Sequence, residues 1–203
     1  MPQEIEITEE LDNRLIITTT HGEGRDFELI NGVEVEVAKP KLFHNYVAGM
    51  IYNLLCWFIL KNKLTDRVIV DGVTLCIDEV NHFDPDLILI SDDADANIGC
   101  YYGVPELVVE VASPSTTRQD LNEKREMYAK HGIPEYCTIQ PLEKRITVWY
   151  NEDGKFNVNG VYQLPPVSRF IKPNDPDYIT KIETRYYGDR LTLDLEDIFT
   201  WVK

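Results

Sequence analysis

A single glutamate, Glu110, interrupts an otherwise apolar run at residues 107–112, which reads LVVEVA. A run of this kind indicates a buried β-strand. An ionised carboxylate is unfavourable there, because burying an unpaired charge costs several kcal/mol or forces protonation. The run therefore predicts a strand in which Glu110 needs a bound cation or a basic side chain as its partner.

A second acidic residue lies at the start of another apolar strand. Asp86 follows Pro85 and directly precedes LILI at residues 87–90. Mg²⁺ prefers oxygen ligands and often takes only one or two protein carboxylates, together with water and substrate phosphate. Asp86 and Glu110 on adjacent strands would form such a site. The structural alternative is that Asp86 caps the start of its strand and that Glu110 faces solvent.

A helix is predicted after the Glu110 strand, from about residue 117 to residue 131. One face of this helix carries two apolar and two basic residues, Leu121, Lys124, Arg125 and Tyr128. The two apolar residues are expected to pack against the sheet, so Lys124 points inward or along the rim. There it can neutralise a carboxylate, hold a phosphate or orient an attacking water. The alternative is a surface pair between Asp120 and Lys124, which contributes only about 0.3–0.5 kcal/mol.

Turn chemistry and periodicity predict the remaining elements. Asn31-Gly32 and Asp71-Gly72 each separate two strand-like segments and favour hairpins, because these residues tolerate positive φ. Helical spacing of apolar residues predicts a first helix from about residue 43 to residue 60. Thr116 and Gln119 have the spacing of a capping box at the start of the later helix. Further strands are predicted at residues 14–20, 135–139 and 145–150, and a last strand and a short helix within residues 191–202.

This order of strands and helices predicts one domain of mixed α/β (α+β) class, a mixed β-sheet core flanked by helices. The domain spans residues 1–203, with a polar N-terminal extension at residues 1–26 and a core at about residues 27–199. With 43% hydrophobic and 27% charged residues, the composition is that of a soluble globular protein. The longest apolar stretch is broken by Asn53, so we expect no membrane span and no membrane partner.

The cysteines and the N-terminus indicate a cytoplasmic protein. The N-terminal segment is acidic and lacks the apolar core of a signal peptide. The four cysteines are far apart and include no CxxC pair, so we expect reduced, mostly buried thiols rather than a zinc site. The net charge of −15, from 35 acidic and 20 basic residues, argues against a surface that coats nucleic acid but leaves room for a local basic site.

The series PD, then ELVVEVASPSTTRQDLNEKREMY, then GIPEY resembles the Uma-type restriction endonuclease family of the PD-(D/E)XK nuclease superfamily. The resemblance runs from FELINGVEVEV to LDLEDIF and is most specific over residues 105–136. It implies a restriction-endonuclease-like fold, a mixed β-sheet core flanked by helices. It also implies a centre that uses Mg²⁺ (or Mn²⁺) to hydrolyse phosphodiester bonds of DNA.

The family motif assigns the catalytic residues. Asp86 matches the aspartate of the motif and Glu110 its second acid, which implies that both bind the metal and are catalytic. The superfamily lysine usually stands two residues after the second acid, where this chain has Ala112. In the Uma-type family the lysine is found on the following helix, and Lys124 matches it.

Three further residues are expected to line the site. Glu28, in FELING, and His44, at the first helix, resemble signature positions of the family. Arg125 lies beside Lys124 on the predicted helix and is expected to position a phosphate.

A rival interpretation is a non-catalytic module that uses the same fold to bind nucleic acid or protein. The net charge and Ala112 favour the rival, whereas the intact set of Asp86, Glu110 and Lys124 favours the enzyme. A homodimer is a further option, because enzymes of this type often dimerise to cut two strands. The target, the choice between DNA and RNA and the biological role are open at this point.

Overall fold

The computed structural model describes residues 6–11, 14–18, 27–37, 42–91, 100–112, 118–164 and 179–202, with side chains described from residue 27 onward except at 118–121. The strands are β1 Glu6–Leu11, β2 Arg14–Thr18, β3 Phe27–Ile30, β4 Val33–Glu36, β5 Arg67–Val70, β6 Thr74–Cys76, β7 His82–Phe83, β8 Leu87–Ile90, β9 Cys100–Tyr101, β10 Leu107–Val111, β11 Glu135–Gln140, β12 Arg145–Glu152, β13 Lys155–Gln163, β14 Lys181–Thr184 and β15 Gly188–Asp194. The helices are α1 Leu42–Asn62, α2 Arg118–His131 and α3 Leu195–Ile198, with a 3-10 helix at Pro141–Glu143.

A six-stranded mixed sheet forms the centre of the fold, with strand order β13-β12-β11-β10-β8-β5. β10 and β11 run parallel, and the other neighbouring strands run antiparallel. Every residue of β8 and β10 is buried, because both strands lie inside the sheet. This architecture confirms the predicted mixed α/β class and the buried strand around Glu110.

The first helix packs on one face of this sheet. α1 directs Val47, Ile51 and Leu55 into a core that also holds Val109 and Val111 of β10. The predicted helix at about residues 43–60 is confirmed. By length and composition, α1 is also apolar enough to cross a bilayer, which the sequence analysis did not expect. One face of this helix nevertheless packs in the core described above.

The second helix covers the opposite face of the sheet. Tyr128 of α2 is fully buried there, with ring centroids 5.4 Å from Phe83 and 5.5 Å from Tyr136. The predicted anchoring role of Tyr128 is confirmed. The side chain of Leu121 and the Thr116–Gln119 capping box lie outside the described residues.

The chain leaves α2 through a Schellman turn at Gly132. The Gly132 N–H donates to the Ala129 carbonyl (3.1 Å) and the Ile133 N–H donates to the Tyr128 carbonyl (3.2 Å). Both hydrogen bonds require the left-handed backbone that Gly132 adopts, with φ of +93°. The turn sends the chain directly into β11, next to β10.

The Asp71-Gly72 hairpin that we predicted is wrong. Both residues adopt positive φ, but β5 pairs with β8 in the six-stranded sheet whereas β6 joins a second sheet. The second sheet has the order β4-β3-β7-β6-β9. The chain therefore changes sheets at this turn, and β5 pairs with β8 whereas β6 pairs with β7. The Asn31-Gly32 hairpin is confirmed, with β3 paired to β4.

The expectation of four reduced thiols is also corrected. β6 and β9 pair in parallel, and a disulfide joins Cys76 to Cys100 across this pair, with Cα atoms 6.2 Å apart. Cys56 and Cys137 are free. The two bonded residues are 24 positions apart in the chain, so spacing alone does not reveal a pairing that the strand register creates.

Candidate active site

Five of the predicted site residues meet where β3, β8, β10 and the two long helices converge. Asp86 directly precedes β8, and Glu110 lies on β10 beside it. Glu28 comes from β3, His44 from the first turn of α1 and Lys124 from α2. Lys124 pairs with Glu28 and Glu110, His44 pairs with Asp86, and the Val111 N–H next to Glu110 joins the two groups by donating to Asp86. We call these five residues the carboxylate cluster.

Glu110 lies deep in this cluster, with 7% of its surface exposed. Its neighbours Val109 and Val111 point into the α1 core, so strand alternation directs Glu110 to the α2 side of the sheet. There the Tyr128 hydroxyl donates to Glu110 Oε1 (2.8 Å), and Lys124 Nζ lies 3.4 Å from the same oxygen. The alternative of a solvent-facing Glu110 is therefore wrong.

Glu28 is the nearer carboxylate partner of Lys124. Lys124 Nζ donates to Glu28 Oε1 at 2.6 Å, and the Asp84 N–H donates to the same oxygen at 3.0 Å. The pairing of β3 with β7 at Leu29 and His82 brings Glu28 next to the segment that leads to Asp86. Both Glu28 and Lys124 are buried, so their ion pair is largely protected from solvent.

Asp86 is held by backbone and side-chain donors. The Val111 N–H donates to Asp86 Oδ2 at 2.6 Å, which places this carboxylate beside the peptide bond that follows Glu110. His44 Nε2 lies 3.0 Å from Asp86 Oδ1, and His44 Nδ1 lies 3.3 Å from Asn45 Oδ1. Asp86 and Glu110 therefore share the same end of the β8–β10 pair.

The cluster carries more negative than positive charge. Burial raises the pKa of Glu110 to about 7; Lys124 opposes this rise, and the charges of Asp86 and Glu28 add to it. Burial alone would lower the pKa of Lys124, but Glu110 and Glu28 outweigh it and raise that pKa above its ordinary value. Burial likewise opposes protonation of His44, whereas its hydrogen bond to Asp86 raises the pKa. The three carboxylates thus favour the protonated forms of Lys124 and His44, and the cluster keeps an excess of negative charge.

This donor set fits a hard divalent cation. Asp86 and Glu110 could supply oxygen ligands, and an added cation would offset the charge that Lys124 leaves uncompensated. Within the described parts of the chain, no three His, Cys, Asp or Glu side chains form a ready metal-ligand group. A two-carboxylate site remains consistent with Mg²⁺, which commonly keeps several water ligands.

Arg125 is oriented differently from Lys124. Its guanidinium lies over the Trp149 ring of β12, 4.4 Å from the centroid. The Trp149 indole N–H donates to Thr138, the residue that pairs with Glu110 across β10 and β11. Arg125 therefore lies on the same face of the sheet as the cluster, beyond Thr138.

Sequence reasoning missed Tyr128 as a member of the site. The tyrosine was interpreted only as an apolar anchor, whereas its hydroxyl donates to Glu110. Its position four residues after Lys124, on the same helix face, is the signal that would have placed it there.

Comparisons with known proteins agree with this fold and motif. A family model named Uma2, described as "Putative restriction endonuclease", matches residues 9–174. The chain belongs to the Uma2 family. No functionally curated protein matches it.

One solved structure resembles this Uma2 chain closely in fold. It is described as a "putative nuclease belonging to DUF820" from Anabaena variabilis, with a TM-score of 0.68. The identity is 15%, and the match covers 87% of this chain and 91% of that one. The common fold is a structural likeness, whereas membership of a restriction-endonuclease family supports a nuclease-type function and a nucleic-acid substrate.

Proposed function

We propose that this Uma2 protein is an endonuclease that hydrolyses DNA phosphodiester bonds with Mg²⁺ or Mn²⁺ as its cofactor. Asp86 and Glu110 hold the metal, and Lys124 is the catalytic lysine. The observation that carries the proposal is the cluster in which Lys124 Nζ lies 2.6 Å from Glu28 and 3.4 Å from Glu110, with Asp86 held beside Glu110 by the Val111 N–H. The nuclease-type family supports the reaction class.

The chain's own residues arrange the reacting groups. When bound, the metal would lower the pKa of a water ligand and polarise the phosphate. Lys124 keeps its proton, because its carboxylate neighbours raise its pKa, and so it can donate a hydrogen bond to the attacking water or to a phosphate oxygen. Glu28 orients this ammonium and is itself held by the Asp84 N–H.

The remaining polar neighbours orient the metal ligands. The Val111 N–H and His44 hold the two oxygens of Asp86, and Tyr128 holds Oε1 of Glu110. Ligands that are already oriented need little rearrangement when the cation enters, which favours both affinity and rate. The lysine stands on α2 rather than at position 112, where this chain has Ala112. Its Nζ nevertheless reaches the carboxylate of Glu110.

The test is cleavage of supercoiled plasmid, which has no ends and therefore reports only endonuclease activity. Wild-type protein is assayed with Mg²⁺, Mn²⁺ or Ca²⁺, and Glu110→Gln protein purified in parallel is the control. We expect nicking with Mg²⁺ or Mn²⁺ and none by the control. Cleavage by Glu110→Gln at the wild-type rate would show a contaminant or a different centre. No cleavage by wild type, together with DNA binding, would favour the non-catalytic module.

Metal binding is tested independently of activity by soaking crystals in Mn²⁺ and measuring anomalous scattering. We expect one ion between Asp86 and Glu110, at roughly 2.0–2.5 Å from a carboxylate oxygen of each. Carboxylates that bind separate ions, or none, would contradict the assignment of the ligands.

A further inference from the structure

The outer face of α1 carries three large apolar side chains that are strongly exposed. Leu42 is 81% exposed, Trp57 61% and Leu60 77%. At 100° per residue these positions lie on the side opposite to the buried Ile51 and Leu55. We define the α1 outer face as this side of the helix together with the adjoining C-terminal tryptophan: Leu42, Tyr46, Gly49, Asn53, Trp57, Leu60 and Trp201.

Trp201 extends this face beyond the helix. It is 71% exposed, and its ring centroid lies 6.1 Å from that of Tyr46. A helix that is apolar on all sides is normally buried on all sides. Large exposed apolar patches on a protein surface mark interaction sites. Among the described residues, the large apolar side chains of the α1 outer face are uncovered, which marks this face as an interaction site.

The residues of this face are arranged symmetrically along the helix. Leu42 and Leu60 each lie nine positions from Ile51, and Gly49 and Asn53 each lie two positions from it. Tyr46 and Trp57 lie five and six positions away. An antiparallel copy of α1 centred near Ile51 would thus place leucine against leucine and Tyr46 against Trp57. Such a self-complementary pattern is what a two-fold interface requires.

Gly49 permits close approach near the centre of this pattern. A Cβ at this position would have no heavy atom within 4 Å, so the helix surface there is open. Small residues at a helix crossing allow two backbones to come close, and larger side chains then pack on either side. Gly49 and Asn53 are the central pair, and the aromatic and leucine residues lie outside them.

Charges at the two ends of the face are complementary in the antiparallel arrangement. Lys61 and Lys63 are exposed at the C-terminal end of α1. The exposed Glu196 and Asp197 lie on α3, which contacts α1 and leads to Trp201 beside Tyr46. An antiparallel partner would bring the lysines of one copy toward the acidic residues of the other.

The available area is also adequate. A tryptophan can bury about 150–250 Å², so two tryptophans and two leucines from each copy approach the roughly 800 Å² per partner of a standard interface. We propose that the protein forms a two-fold homodimer through the α1 outer face, with the two α1 helices antiparallel. The proposal is independent of the nuclease activity, because the carboxylate cluster is formed within one chain.

The primary test is the mass in solution, measured by sedimentation equilibrium or by light scattering after gel filtration. We expect the wild type at twice the chain mass of 23.5 kDa and Leu60→Glu at the chain mass. Val158→Glu is the matched control, since Val158 is 52% exposed on β13, away from α1, and this variant should stay dimeric. Circular dichroism confirms that each variant is folded. A monomeric wild type, or a dimeric Leu60→Glu, would overturn the proposal.

The antiparallel orientation has its own test by charge reversal. Lys61→Glu and Asp197→Lys should each weaken the dimer several-fold, and the double variant should recover the wild-type dissociation constant. If the dimer of the double variant is weakened by the two single effects combined, the antiparallel orientation is wrong.

A membrane is the other surface that an apolar helix face fits. Flotation with phosphatidylcholine–phosphatidylglycerol vesicles separates the two cases. A dimer should stay with the soluble fraction. If the wild type floats with the vesicles and Leu60→Glu does not, the α1 outer face binds a membrane and the dimer proposal is wrong.

Discussion

Lys124 connects two carboxylates that reach it from distant parts of the chain. Its ammonium lies 2.6 Å from Glu28 and 3.4 Å from Glu110, and the side chain is only 12% exposed. Removing one partner of such a buried group leaves the others with an uncompensated charge, which costs about 3–5 kcal/mol. A test of the lysine's chemistry must therefore separate the loss of the ammonium from the loss of stability.

We predict that Lys124→Ala, combined with Glu28→Gln to remove the stranded charge, slows single-turnover cleavage about 100- to 1,000-fold at saturating Mg²⁺. The reason is that the ammonium stabilises charge chiefly in the transition state. Glu28→Gln alone, which retains the lysine, is the matched control. A double variant that cleaves as fast as this control would show that Lys124 is not the functional lysine.

Arg125 should behave differently, because it stacks on Trp149. We predict that Arg125→Ala weakens DNA binding and lowers the salt dependence of binding by about one unit of slope, with little change in the rate at saturating DNA. Arg125→Lys preserves the charge and should preserve the slope. A large loss of single-turnover rate in Arg125→Ala would instead place this residue in the reaction.

Glu135 is a buried carboxylate on the opposite face of the sheet. Its Oε2 accepts a hydrogen bond from the Arg185 N–H (2.8 Å), whereas Oε1 has no hydrogen-bond partner within the described part of the chain. The residue also lines a cavity of about 20 Å³. Burial raises the pKa of Glu135 from 4.5 to about 7, against the opposing effect of its backbone hydrogen bonds. Because the folded-state pKa exceeds the unfolded one, this group lowers stability as the pH rises from about 4.5 to 7.

We predict that Glu135→Gln has little effect on the free energy of unfolding near pH 4 and raises it by up to about 3 kcal/mol at pH 8. Urea unfolding across this pH range measures the difference. The exposed Glu183 provides the control, because Glu183→Gln should leave the pH dependence unchanged. Parallel pH profiles for wild type and Glu135→Gln would contradict the prediction.

The end of α2 determines how this helix is joined to the sheet. The Schellman turn at Gly132 directs the chain from Tyr128, which contacts Glu110, to β11, which pairs with β10. Lys124 and Glu110 are thus held on two elements joined by a short, well-defined connection. Their spacing depends on that turn.

We predict that Gly132→Ala lowers the free energy of unfolding by about 1 kcal/mol or more, because φ of +93° is strained for a residue with a Cβ. Gly132→Asn should cost less, since asparagine tolerates the left-handed region better. Chemical denaturation of the wild type and the two variants measures their free energies of unfolding and gives the order. Equal stability of the alanine and asparagine variants would argue against backbone strain as the cause.

A divalent cation bound by Asp86 and Glu110, as proposed, would stabilise the whole fold, because it would offset charge in a buried cluster of a protein whose net charge is −15. A ligand that binds only the folded state raises its stability in proportion to the logarithm of the ligand concentration. Removing one charge from the metal-free cluster should relieve repulsion among the carboxylates. A mutation that removes one of these charges should therefore raise the stability of the metal-free protein and remove the stabilisation by metal.

We predict that Mg²⁺ raises the melting temperature of the wild type and has no such effect on Asp86→Asn or Glu110→Gln. Without metal, both variants should be at least as stable as the wild type and should fail to cleave DNA. Thermal unfolding with EDTA and with a series of Mg²⁺ concentrations tests this. Sharp destabilisation of both metal-free variants would identify the carboxylates as structural.

Residue patterns over a few neighbouring positions were enough to predict the strands, helices and turn that such patterns determine. The apolar runs of β8 and β10, the helical periodicity of α1 and α2 and the Asn31-Gly32 turn depend on neighbours a few positions apart. Asp86, Glu110 and Lys124 were predicted to share a site because they stand in or beside these elements within a motif of ordered spacing, and the fold places them in one cluster. β13 was missed although its first five residues, KFNVN, alternate polar and apolar side chains as a strand does.

Strand register and sheet order decided the rest. They send β5 and β6 into different sheets, join Cys76 to Cys100 and bring Glu28 to Lys124 across 96 positions of the chain. These contacts depend on which distant strands pair, and pairing minimises the free energy of the whole core rather than of any one segment. For the same reason the raised pKa of Glu110 and its contact with Tyr128 exist only in the folded cluster, where burial and neighbouring charges act together.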